Sequence, residues 1–364
     1  MKRITILCIS LSLMIQQDIL AQGCVAIRST GTSCSLLKPG GDSANWQFNA
    51  NYRYFRSFRH YRGHEEQKER LEQHTEVINY TNTLDLSLMR IINRRWSVLL
   101  NIPIISNVRS SLYEHGLVNG TYVVRERRNT ESFGLGDIRL SGYYWVFDPA
   151  KAHRGNIQVG LGLKFATGDY DYKDYWHNVG PNGESELRTV DQSIQLGDGG
   201  TGFTAEVNGY YNFSHRFGVY GNVYYLFNPR EVNGTRTYRE TLSPALWNET
   251  ICSVPDQYMA RAGASYMVNR WSFMAGGRIE GIPVYDAIGS SNGFRRPGYV
   301  ISAEPGINFM ANKVNLALTV PVALYRNRTQ SVTDKERSAI SGTHQQGDAA
   351  FADYSINLGM SVRF

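Results

Sequence analysis

Beyond the N-terminus, no run of apolar residues approaches the roughly 20 that a membrane-spanning helix requires, which excludes a helical transporter. Proline is sparse, 11 in 364 residues, and no strong charge bias exists: the formal balance is +6, with both signs spread along the chain. A surplus of that kind fits a solvated surface and argues against a nucleic-acid partner. Cysteine numbers only 4 and no Cys-x-x-Cys spacing occurs, so no metal ribbon or dithiol centre is encoded. Disorder is excluded by what is abundant, with 42% hydrophobic and 12% aromatic residues. The 23 Tyr, 15 Phe and 35 Gly lean towards strands and tight turns.

Lys2 and Arg3 precede an apolar run from Ile4 to Ile15, and Ala21 supplies the small residue that a signal peptidase accepts. Residues 1–21 are therefore expected to be a cleaved export leader, with Gln22 as the new first residue. Cys8 leaves with it. In an oxidising compartment Cys24 and Cys34 are expected to close a small disulfide loop inside a periplasmic segment, 22–44, leaving Cys252 free in a loop. Lipidation of Cys24 is the competing reading, but the apolar residue it needs falls one place too far upstream.

From Trp46 onward, segments of alternating polarity recur. In the last one Tyr354, Ile356, Leu358, Met360, Val362 and Phe364 share one face, and Asp353, Ser355, Asn357, Gly359, Ser361 and Arg363 share the other. The same test places further segments near 46–55, 78–90, 96–105, 136–147, 156–166, 203–213, 217–227, 257–268, 271–280, 299–309 and 314–325. Short and long connections alternate between them. Short turns at one end and long loops at the other are the arrangement of an outer-membrane barrel. The expected fold is all-β, a transmembrane antiparallel up-and-down β-barrel of about 12 strands over residues 45–364.

Alternation leaves open which face points inward, and aromatic residues decide it. On the apolar faces Trp46, Trp96, Phe213, Phe217, Trp271, Phe309 and Phe364 fall at the short-turn end. Tyr54, Tyr80, Phe165, Phe203, Phe227, Tyr258, Tyr299 and Tyr354 fall at the other. Two aromatic belts around an aliphatic band match two membrane interfaces, so the apolar faces should meet outer-membrane lipid.

A terminal Phe364 ending an alternating strand is what the bacterial barrel-assembly machinery reads, and in this the chain resembles bacterial outer-membrane proteins. More narrowly, Gly134-Leu135-Gly136-Asp137, the run Leu161-Gly162-Leu163-Lys164-Phe165-Ala166-Thr167-Gly168-Asp169, and Gly197-Asp198-Gly199-Gly200-Thr201-Gly202 are similar to the outer-membrane transporters grouped as the MetA-pathway of phenol degradation family. Ala166 stands where that family has Pro. The resemblance implies a passage for small molecules without naming one.

With apolar faces outward, the lumen is lined by Arg53, Asp85, Asp137, Arg139, Lys164, Glu206, Arg261, Arg278, Glu280 and Glu304. They serve either a conduction path or pairs that brace the wall. Arg53 is placed to pair with Asp85, and Arg261 to face Arg278 and Glu280. Balanced signs predict weak ion selectivity. Inward Gly160, Gly162, Gly218, Gly263, Gly276 and Gly306 leave open bore or room for Tyr143, Tyr210, Tyr220 and Tyr224. A narrow or loop-plugged pore is expected, since about eight strands pack solid and 16 to 18 leave a channel.

The loop carrying Asp169, Tyr170, Asp171, Tyr172, Asp174, Tyr175 and Trp176 lacks the spacing of a calcium loop, so it is expected to be solvated and self-packed, with no metal and no cofactor. Every His, including His60, His115 and His177, is expected in a loop or turn, away from a rigid wall that could hold it against a serine nucleophile. No catalytic residue is therefore expected, and a lipid hydrolase is the remote alternative. The functional expectation is a channel for small, hydrophobic or aromatic solutes. The alternative is a closed barrel acting in surface binding or structure.

Overall fold

Each alternating segment forms a strand, and the strands close on themselves as a 12-stranded antiparallel barrel. The computed structural model describes residues 22–23, 45–112, 114–115, 117–118, 121–122, 126–237 and 246–364. The leader and the Cys24–Cys34 pair lie outside the described residues. The wall runs β1 Trp46–Arg62, β2 Ile78–Ile91, β3 Trp96–Ser111, then β4 in two parts, Arg128–Leu135 and Arg139–Trp145. It continues with β5 Gly155–Lys164, β6 Gly202–Asn212, β7 Phe217–Phe227, β8 Gln257–Val268, β9 Trp271–Ile282 and β10 Gly298–Ala311. Last come β11, as Val314–Thr319 and Val322–Asn327, and β12 Ala349–Arg363. The break in β11 falls at Pro321, which has no N–H for the ladder.

Closure joins β12 to β1 in the register Phe48 to Val362, Ala50 to Met360 and Tyr52 to Leu358. Phe364 N donates to Trp46 O at 3.0 Å, and Trp46 N returns to Phe364 O at 3.1 Å, so the ends of the wall seal each other. Short turns occupy one end, the tightest being the two-residue connections Asn269-Arg270, where Asn269 takes φ 54, and Asn312-Lys313. Long connections occupy the other. β1 and β3 climb past their expected ends to Arg62 and Ser111, which shortens the loops that follow them.

The wall is apolar outside and polar inside. On β5, Ile157, Val159, Leu161 and Leu163 are exposed, whereas Asn156, Gln158 and Lys164 are buried. The same inversion recurs on β3, where Trp96 and Leu100 are exposed and Ser97 and Asn101 buried. Water-soluble folds bury the first kind and expose the second; a surface turned the other way must be covered by lipid. The belts pack as rings in contact. Phe203 stacks on Phe227 at 4.7 Å in the upper belt, and Trp271 meets Phe309 at 4.7 Å in the lower. Two outward cations stand at belt height. Arg56 lies over Phe58 at 4.3 Å and Arg90 over Trp46 at 4.9 Å, where long side chains reach the interface.

Inward glycines accommodate inward rings. A Cβ on Gly160 would fall 2.5 Å from the Tyr143 ring, and Cβ atoms on Gly263 and Gly276 would fall 2.6 and 3.0 Å from the Tyr220 hydroxyl. Of the two readings of these glycines, room for tyrosine prevails at these three positions.

Candidate functional site

The loop after β5, residues 165–201, folds into the barrel mouth instead of staying in solvent. Its segment 190–196 includes a single 3-10 turn, Gln192–Ile194, and Val190, Asp191, Ile194 and Leu196 are almost fully buried. Asp191 anchors the segment. Arg296 grips both carboxylate oxygens at 3.0 and 2.8 Å, Arg109 on β3 lies 3.5 Å away, and Ser193 N donates to Oδ1 at 2.9 Å. Burial alone would raise the pKa of Asp191; Arg109 and Arg296 outweigh it and hold the carboxyl far below the ordinary range. Wall side chains complete the attachment: Asn107 Nδ2 and Ser132 Oγ both donate to Ile194 O, at 3.1 and 2.5 Å. On the far side Gln192 Nε2 donates to Ser253 O and Phe294 O, each at 3.0 Å. Among the described residues, the segment spans the barrel mouth from β3 and β4 to the loops that carry Ser253 and Phe294.

The three Gly-Asp motifs, far apart in sequence, meet in one knot beside this plug. β4 breaks at Gly136-Asp137-Ile138, and Thr167 Oγ1 bridges the gap by donating to Gly136 O at 3.0 Å and accepting from Ile138 N at 2.8 Å. Asp137 Oδ1 accepts from Gly168 N at 3.0 Å and Oδ2 from Asp198 N at 3.3 Å. Lys164, at the end of β5, joins Asp137 at 3.6 Å and forms a close pair with Asp198. A Cβ on Gly197 would fall 2.6 Å from Gly168 O, so backbone must approach backbone here and only glycine permits it. Above the break, Arg128–Leu135 pairs with β3 on one side, and its Glu131 N donates to Asp174 Oδ2 of the loop at 2.7 Å on the other.

Between the plug and the wall lies a cavity of about 190 Å3. Of the ten residues expected in the lumen, Arg53, Asp85, Asp137, Arg139 and Lys164 line it, together with the apolar Phe55, Ile105, Leu226 and Ile282. Gln192, Gln195 and Leu196 of the plug form its cover. Glu206, Arg261, Arg278, Glu280 and Glu304 form a second, buried group on β6, β8, β9 and β10. Glu304 lies 3.5 Å from Arg261 and 3.7 Å from Arg278, and Arg278 donates to Glu280 at 2.7 Å. Glu206 accepts from Tyr143 at 3.0 Å across β5, through the space that Gly160 leaves. Arg53 donates to Asn357 at 2.8 Å and stands opposite Thr83, one diagonal step from Asp85.

The aromatic loop departs from expectation in part. Lys173–Trp176 and Glu186–Thr189 form a hairpin in which Tyr175 is exposed, but Trp176 is buried beside His115, their rings 6.0 Å apart. His177 N donates to His115 Nδ1 at 3.1 Å, and burial, reinforced by His177, pushes the His115 pKa down to about 4. No group of three or more His, Cys, Asp and Glu suited to a metal occurs among the described residues. Cys252 is a free, buried thiol that burial pushes up to about 12. The expectation that every His lies off the wall fails at His60. β1 runs on to Arg62 and carries His60 with it, where Asp348 at 2.7 Å and the Val77 amide at 2.9 Å occupy both ring nitrogens.

A closed antiparallel wall, apolar towards lipid and polar towards the lumen, defines a transmembrane β-barrel of the outer-membrane type. Among solved structures, the chain is similar to the COG4313 outer membrane channel from Pseudomonas putida F1, at 11% identity and a TM-score of 0.58, over 92% of this chain and 99% of that one. A weaker likeness links it to the P. putida toluene transporter TodX, at 10% identity and a TM-score of 0.43, over 95% of this chain and 99% of that one. The first likeness establishes the fold. No family model and no curated protein matches the chain.

Proposed function

We propose that this barrel is an outer-membrane channel for small solutes, with the 190–196 segment as its gate and hydrophobic or aromatic molecules as its cargo. The observation that carries the reading is the cavity inside the barrel, lined by wall side chains and covered by a loop segment that ion pairs hold in place. A barrel built only as a scaffold has no need of a chamber of mixed polarity in its bore, and Phe55, Ile105, Leu226 and Ile282 give one part of that chamber an affinity for apolar bodies. The ten charged residues divide the work under this reading. Arg53, Asp85, Asp137, Arg139 and Lys164 shape the path, whereas Glu206, Arg261, Arg278, Glu280 and Glu304 brace the wall. Phe364 serves recognition by the assembly machinery.

The buried plug and the filled bore also favour a second reading, a permanently closed barrel whose external loops act in binding. Single-channel recording in planar bilayers separates the two, combined with swelling of proteoliposomes in small sugars and aromatic alcohols. Channel steps or swelling support the first reading. A folded barrel that gives neither overturns it and leaves the second.

A further inference from the structure

We propose that the cavity beneath the plug is a binding site for one uncharged, single-ring amphiphile, an aromatic alcohol by chemical class. The proposal deepens the channel reading and rests on it for the site's role in passage. Size is the first argument. An engineered cavity of about 150 Å3 lined by apolar side chains holds benzene. The cavity here, about 190 Å3, is the size class of one ring with a short polar substituent.

Charge is the second argument. Among the described residues four cations line the cavity, and each has an acid near it: Lys164 faces Asp137 and Asp198, Arg296 grips Asp191, Arg139 lies beside Asp85 and Asp137, and Arg53 acts on Glu304. A carboxylate entering this space would have to break one of those pairs or stand unpaired, and an ammonium would compete with Arg139 for Asp85 and leave a surplus positive charge; an uncompensated buried charge is strongly disfavoured. A neutral hydroxyl meets no such penalty, because it both donates and accepts. Its partners are in place. Asp85 Oδ1 has no hydrogen-bond partner among the described residues, and the carboxamide of Gln257 also lines the cavity. The ring would lie against Phe55, Ile105, Leu226 and Ile282.

The test is calorimetric titration of the detergent-purified, full-length barrel at pH 7 with benzyl alcohol, benzoate and benzylamine, three probes of nearly equal size. Benzyl alcohol should saturate one site, with the two charged probes at least tenfold weaker. Ile105→Phe and Gln257→Trp place bulk in the cavity from two strands, so one variant remains informative if the other does not fold. Heat-modifiable migration of the folded barrel certifies each. Either folded variant should weaken benzyl alcohol at least tenfold. Equal affinity for the three probes, absence of saturation, or unchanged binding in the folded variants overturns the proposal. Swelling without such binding removes this site and leaves the channel reading. Binding in a barrel that passes nothing keeps the site and removes the channel reading.

Discussion

Removing the charge that anchors the plug should open the barrel. Asp191→Asn keeps an oxygen that accepts from Ser193 N but abolishes the ion pairs with Arg296 and Arg109. Arg109 keeps Glu114, whose Oε1 lies 2.9 Å from its Nε, so the loss falls mainly on Arg296. Breaking one side of a buried pair costs about 3 to 5 kcal/mol, and with Arg109 still neutralised the lower figure, about 3 kcal/mol, applies. At about 1.4 kcal/mol per tenfold change, the plug-out population should rise on the order of a hundredfold. Single-channel recording in planar bilayers reads this as the open fraction of parent, Asp191→Asn, Arg296→Gln and the double variant. Each single variant should raise the open fraction, and the double should exceed neither by much, since both break one contact. An open fraction equal to that of the parent in a folded Asp191→Asn barrel would refute the latch. Strictly additive effects would refute the pairing.

Gly160→Val should destabilise the barrel by about 1 to 3 kcal/mol through collision with the Tyr143 ring, read as an earlier urea midpoint. In the Tyr143→Ala background the same substitution should cost much less, and equal cost in both backgrounds would contradict the packing described. Acid should loosen the hairpin that packs on His115. Its folded pKa, about 4, lies below the ordinary value of 6.5, so its contribution is complete above pH 6.5 and is lost as pH falls towards 4, by up to about 3 kcal/mol. Protonated Nδ1 can no longer accept from His177 N, and limited proteolysis within 173–189 should accelerate over that window while the barrel wall stays resistant. Phe364→Ala should lower the amount of assembled barrel in cells but barely move its urea midpoint, because the ring is exposed and the two backbone bonds to Trp46 remain.

The wall was legible in the sequence because a strand between lipid and water writes its orientation at every second residue. Leu161 and Lys164 announce opposite faces without reference to any other strand. β7 and β8 accordingly match their expected limits at both ends. The upper part of β4, Arg128–Leu135, was missed. Its outward face carries only two apolar residues, Phe133 and Leu135, after polar Glu131, and Gly134 stands between them, so the alternating run is too short to read as a strand by itself. The plug was legible only as a general expectation from strand number. Its anchor depends on Arg109 and Arg296, which come near Asp191 through the closure of the whole barrel, and no local pattern encodes that meeting. One signal was available: Val190, Ile194 and Leu196 are apolar residues in a loop that a solvated reading leaves without a purpose. The three Gly-Asp motifs were visible one by one, but their convergence on Lys164 and Thr167 is a property of the folded wall.

The outward-facing apolar surface is tested most directly by spin labels placed one at a time at residues 156–164 of β5, with Cys24, Cys34 and Cys252 replaced and the barrel in lipid bilayers. Oxygen collides with lipid-exposed labels and a water-soluble nickel chelate with wet ones. Labels at 157, 159, 161 and 163 should be relaxed by oxygen, and those at 156, 158, 160, 162 and 164 should be shielded from it. Oxygen access at the second set and not the first, or access that fails to alternate, would contradict the orientation on which the lumen, the plug and the cavity all depend.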